Sequence, residues 1–187
     1  MVDVRTVMTD PELFGHQFGG DSWAAWRALL AGFYGLRLDH DETELFRKIT
    51  QQRPPCTRTD PAPARLQELW QVIGRRGGKS NVAALLAVYE SAFRDYFDRL
   101  APGEVATVLL LAADRKQARV CMRYVSGLFK SNAMLARMVI REDKESIELN
   151  NRTVIEVGTA SFRSVRGYTV AAVIADEIAF WRSDDSA

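Results

Sequence analysis

Residues 170–175, Val-Ala-Ala-Val-Ile-Ala, form a run without one polar side chain, and the run stops on Asp176-Glu177. A strand with one wet face alternates apolar and polar residues. An uninterrupted run suits a strand covered on both faces, as in a parallel sheet. Parallel neighbours need crossover connections, and helices usually supply them. Val105–Ala113 is a second buried-strand run, followed by a polar helix start, Asp114-Arg115-Lys116-Gln117-Ala118. Leu69–Ile73 is a third, shorter one. Between the last two, Asn81–Leu100 carries Val82, Leu85, Leu86, Tyr89, Phe93, Tyr96 and Phe97 at helical spacing, and Ala101-Pro102-Gly103 ends it. Strand, helix, strand, helix in this order predicts an α/β fold, a central mostly parallel sheet flanked by helices.

The remaining segments fit around that frame. Asp21-Ser22 can cap a helix with Trp23, Trp26, Leu30 and Phe33 on one stripe and Gly35 as its stop. Those tryptophans are expected in a core, and Trp70 likewise. Asp41 can cap a second helix through Leu45, Phe46 and Ile49. Residues 50–64 hold four of the six prolines, so regular structure should fail there. The expected organisation is an N-terminal helical segment and connector over 1–64 and a sheet-bearing unit over 65–187. Residues 118–139 read as helical. Residues 146–157 read as a hairpin whose turn is Asn150-Asn151-Arg152, because Asn tolerates the positive φ such turns need.

Composition narrows the classes. The chain has 187 residues, 47% of them hydrophobic, enough to bury a core. The formal net charge is +1, so any grip on nucleic acid must be local and not a global field. Cys56 and Cys121 are far apart and neither pairs with a histidine at metal-ligand spacing, which argues against zinc. Two reduced thiols are expected, with a single disulfide the open alternative. No leader pattern or membrane-length apolar run appears, and the expectation is a soluble intracellular protein.

The chemistry is concentrated in two places. Gly74-Arg75-Arg76-Gly77-Gly78-Lys79-Ser80 lies between an expected strand and a long expected helix. Gly77 and Gly78 lack Cβ, so backbone N–H groups can curl toward phosphate oxygens, and a helix N-terminus adds its positive dipole end. In such a P-loop Lys79 reaches the β- and γ-phosphates and Ser80 ligates Mg²⁺. The usual first glycine is replaced by Ile73, with Gly74 one residue later. Some hundred residues on, Asp176 and Glu177 end the apolar run at the sheet edge where α/β ligands bind. There Asp176 suits a magnesium ligand through water and Glu177 a general base for an attacking water.

The run WQVIGRRGGKSNVAALLAVY resembles the phosphate loop of the large subunit of tailed-bacteriophage terminases, which often lacks the first glycine and carries arginine inside the loop. SFRSVRGYTVAAVIADEIAFW resembles the same family's approach to its acidic strand end, and WRALLAGFYGL…LFRKITQQRPP its N-terminal portion. The resemblance implies a P-loop ATPase of the additional-strand type that uses ATP and Mg²⁺ to drive double-stranded DNA into a procapsid. It implies a homo-oligomeric ring, a small terminase subunit and a portal as partners, and the infected bacterial cytoplasm as location. It implies a separate nuclease domain, whose activity is not expected of this segment. It also implies roles for Arg75 in sensing the γ-phosphate, for Arg166 as an arginine acting across a subunit boundary, and for Gln51, Gln52 and Arg53 beside the adenine. A solvated or ion-paired arginine is the alternative for each of Arg75 and Arg166, and a place beside the base is the alternative to core packing for Trp70.

Two other classes remain open on the sequence. One is a helicase-type or other DNA-dependent ATPase of the same fold. The other is a non-catalytic assembly module with a degenerate loop, which Ile73 favours and the intact Lys79, Ser80, Asp176 and Glu177 oppose.

Overall fold

The computed structural model describes residues 2–52, 54, 65–159 and 167–181. They cluster into two compact units, Val2–Ile73 and Gly74–Ala187.

The first unit is helical. Asp3 caps α1 (Val4–Thr9) through the Thr6 amide; α2 is a single turn, Gly15–Phe18. α3 (Ala24–Phe33) follows a 3₁₀ turn at Asp21–Trp23 and buries Trp26, Leu30 and Phe33, the stripe expected from spacing. Trp23 is half-buried. The chain then turns at Gly35, φ 72°. α4 (His40–Thr50) is capped by Asp39, not Asp41, because Glu42 at the third helical position closes a reciprocal capping box. Arg5 grips both oxygens of Glu42, at 2.8 and 2.7 Å, and so ties α1 to α4.

Leu69–Ile73 is irregular, not a strand, and Trp70 and Val72 are 75% and 105% exposed. The expectations of a strand here and of a buried Trp70 both fail. β-propensity is realised only where a neighbouring strand supplies ladder hydrogen bonds and a covered face, and no described strand pairs with this segment.

The second unit is built on a five-stranded, mostly parallel sheet in the order β2-β3-β4-β1-β5. β1 (Ala106–Ala112) lies between two parallel neighbours and is buried at six of seven positions. It runs parallel to β4 (Thr153–Thr159) on one side and β5 (Thr169–Ala175) on the other. β2 (Val139–Glu142) and β3 (Ser146–Leu149) add antiparallel strands beyond β4. The β3–β4 turn falls on residues 150–152 as expected, although its positive φ belongs to Arg152 (61°).

The helix after the glycine-rich turn is shorter than its periodicity suggests. α5 covers Lys79–Val88, gives way to a π turn at Tyr89–Phe93, and stops at Arg94, which is extended. In the π turn Glu90 is buried and its carboxylate accepts from Tyr96 Oη. Satisfying that buried acid folds the chain back, so Tyr96 and Phe97 never join the helix. α6 (Arg115–Ser131) is capped by Asp114, whose side chain accepts from the Gln117 amide. It buries Ala118, Cys121, Met122, Val125, Leu128 and Phe129 and packs against α5, β4 and β1. A single turn, α7 (Ala133–Ala136), follows. No helix among the described residues is long and apolar enough to cross a membrane.

Candidate active site

The sheet brings two connections to one edge. β1 and β5 are parallel, with Leu111 opposite Ala175, and the Asp176 amide donates to the Leu111 carbonyl at 2.8 Å. The β1–α6 connection and the Asp176-Glu177 pair therefore leave the sheet side by side, at the carboxyl ends of the strands.

The glycine-rich turn reaches the same place. Gly74, Arg75, Arg76 and Gly77 are exposed, and the Gly77 amide donates to the Gly74 carbonyl at 3.3 Å. Arg76 has φ 63°, and Gly78, at φ 82° and ψ 5°, is the residue from which α5 springs. A left-handed residue directly before a helix aims the first-turn N–H groups out of the turn, and glycine adopts it without a Cβ clash. No side chain caps α5, so those amides keep their affinity for an anion.

Lys79, the first residue of α5, places Nζ 3.3 Å from Glu177 Oε1. Residues 98 positions apart thus meet as an ion pair, with side chains 42% and 28% exposed. Glu177 has φ 52° and ψ 41°, left-handed and costly for a residue with a Cβ, by about 1–2 kcal/mol. The chain bends off the strand at that residue. Trp181, after the 3₁₀ turn Ile178–Phe180, donates its indole N–H to the Asp176 carbonyl at 3.1 Å and pins that bend.

The Asp176 carboxylate and the Ser80 hydroxyl have no hydrogen-bond partner among the described residues. The Asp176 charge is felt by Cys121 on α6: burial pushes that thiol up to about 12, and the nearby carboxylate adds to the shift. Cys121 is a free thiol. No group of three or more His, Cys, Asp or Glu side chains among the described residues is placed to hold a metal unaided. Ser80 and Asp176 carry oxygen donors of the kind Mg²⁺ takes, since Mg²⁺ is commonly held by one or two protein oxygens together with phosphate oxygens and water.

No family model matches this chain, and no curated protein does.

The site also contains a residue that motif reasoning passed over. Gln117, in the first turn of α6, donates from Nε2 to Glu177 Oε2. Its position just beyond the carboxyl end of β1 was the available signal, because ligands gather at that edge. Arg75 and Arg76 are exposed on the loop. Gln51 and Gln52 are exposed residues of the helical unit, with Gln51 left-handed at φ 56° and the Gln52 amide bonded to Thr50 Oγ1 at 3.1 Å. Arg53 and Arg166 lie outside the described residues. A separate groove between α6 and the β2–β3 hairpin is lined by Lys116, Arg119, Arg123, Glu142 and Lys144 and includes neither Lys79 nor Glu177.

Proposed function

We propose that this chain is the Mg²⁺-dependent ATPase core of a motor that drives double-stranded viral DNA into a procapsid. The observation that carries the hydrolytic part is the Lys79–Glu177 contact at 3.3 Å. A cation opening a helix behind a left-handed glycine, and an acid ending a parallel strand, share one small volume. The α5 N-terminus there has no side-chain cap, and the adjoining residues Ser80 and Asp176 keep a hydroxyl and a carboxylate with no hydrogen-bond partner among the described residues. Groups of this kind bind a triphosphate and activate water.

In this reading the first-turn amides of α5 and Lys79 take the phosphate oxygens. Ser80 and Asp176 would hold Mg²⁺, which when bound neutralises charge on the β- and γ-phosphates. Phosphate then competes with Glu177 for Lys79, so nucleotide binding breaks the ion pair and leaves Glu177 Oε1 able to accept a proton from water. The DNA-packaging part rests on the resemblance of the arginine-bearing loop Gly74–Ser80 and of the segment approaching Asp176-Glu177 to terminase large subunits.

Phosphate release measured with and without EDTA tests the hydrolytic claim. Lys79→Ala should abolish ATP binding, read by titration of a fluorescent ATP analogue. A Lys79→Ala protein that binds and turns over ATP like the parent would refute it. Stimulation of hydrolysis by linear double-stranded DNA tests the motor assignment, and indifference to DNA in the assembled ring counts against it.

A further inference from the structure

We infer that Gln117 is a positioning residue for the general base, a refinement that rests on the ATPase reading of the same site. Both oxygens of Glu177 are engaged: Lys79 Nζ faces Oε1 at 3.3 Å, and Gln117 Nε2 donates to Oε2. The two partners differ in what nucleotide does to them. Lys79 is a mobile cation for which phosphate competes. Gln117 is neutral and has no reason to leave.

The amide's orientation follows from its neighbour. An ionised carboxylate offers only acceptors, so the nitrogen of Gln117, and not its oxygen, must face Glu177. The amide is also well anchored. Asp114 Oδ1 accepts the Gln117 backbone N–H at 2.9 Å and fixes the first turn of α6. Ala118 and Cys121, one and four residues on, are buried. The carboxylate itself sits on a left-handed residue just beyond β5, at the end of a side chain whose outer torsions the backbone does not fix. A single donor on a capped helix fixes them.

When nucleotide draws Lys79 away, Oε1 alone is released while Oε2 stays held. Water oxygen then bonds the γ-phosphorus as the bridging P–O bond breaks. The electron pair of that bond leaves with ADP, and the water proton passes to Oε1. Gln117 touches no reacting atom; it keeps the accepting oxygen aimed.

The test compares parent, Gln117→Ala and the isosteric Gln117→Glu in steady-state phosphate release, fluorescent-ATP binding and thermal melting. Gln117→Ala should lower kcat roughly tenfold or more, less than the ~10²–10⁴ contributed by a general base itself, with KM and ATP affinity unchanged. Gln117→Glu should lower it further, because two acids then repel across the same contact. In the Glu177→Gln background, single-turnover hydrolysis should lose nothing more on adding Gln117→Ala, since a group that acts only through Glu177 has nothing left to act on. The inference is overturned by a Gln117→Ala kcat equal to or above that of the parent. It is also overturned by a loss expressed in ATP affinity, or by one that persists in full in the Glu177→Gln background. A parent that neither binds nor hydrolyses ATP would bring down the ATPase reading, and this inference with it; a normal parent beside an unaffected Gln117→Ala brings down this inference alone.

Discussion

Glu177→Gln separates binding from chemistry, and the geometry fixes the sign of both effects. The substitution removes the charge that Lys79 faces at 3.3 Å but keeps the shape of the side chain. Both side chains are partly exposed, at 42% and 28%, so solvent screens the pair and its net contribution falls within about 0–1 kcal/mol. Nucleotide must break this pair to use Lys79. Removing it therefore tightens ATP binding by at most about fivefold, since 1.4 kcal/mol corresponds to a factor of ten. The left-handed backbone at position 177 is no cheaper for Gln, and thermal stability should change by less than about 1 kcal/mol. Hydrolysis should fall by about 10²–10⁴, the usual contribution of a positioned general base. Titration of a fluorescent ATP analogue gives the affinity and phosphate release gives the rate. Hydrolysis at the parent rate refutes the base assignment. Binding weakened tenfold or more refutes the competition between Glu177 and phosphate for Lys79.

Gly78→Ala should cost about 1–2 kcal/mol for a Cβ at φ 82° and should weaken nucleotide binding with it, read by melting and by ATP-analogue titration. Leu110→Ala, 2% exposed on β1 between two parallel neighbours, should destabilise by about 2–5 kcal/mol in urea unfolding. Asp39→Ala removes the α4 capping box and should cost about 1 kcal/mol, seen as a lower melting midpoint of the helical unit. Cys121, its thiol raised to about 12 by burial, should resist iodoacetamide at pH 8 in peptide-mapped labelling until the chain is unfolded. Because its folded pKa lies above the unfolded value near 9, its contribution to stability is complete below pH 9 and declines as pH rises from there toward 12.

What the sequence disclosed followed the strength of its local signals. β1 and β5 fell almost where their unbroken apolar runs lie, and the β3–β4 turn where two asparagines and an arginine interrupt alternation. α3 kept its apolar stripe because helix packing answers directly to spacing. Failures came where partners decide. Leu69–Ile73 has the composition of a strand and no ladder neighbour among the described residues. The apolar face of Asn81–Leu100 continues past Val88, but the buried Glu90 bends the chain away. β2 was not anticipated: it starts at the last residue of the helix expected over 118–139, and only its pairing with β3 defines it. The α6 helix begins at the polar start expected for it, with Asp114 as cap, but ends at Ser131 and not near residue 139, because Asn132 is extended and caps a separate turn. At the site, Lys79 and Glu177 were legible as types of residue in the right local contexts. Gln117 was not, since a glutamine at a helix start usually faces water, and only the side-by-side exit of β1 and β5 makes it a neighbour of Glu177.

The unbroken apolar run that first signalled a doubly covered strand ends up as the rim of the described sheet. Along β5, Val170 and Val173 are 43% and 52% exposed, and the side of the strand away from β1 has no described neighbour. Among the described residues such a rim is a zipper of unpaired amides and carbonyls with oily teeth. Concentrated preparations should therefore clump first along residues 169–175, and a lysine in place of Val173 should keep them clear.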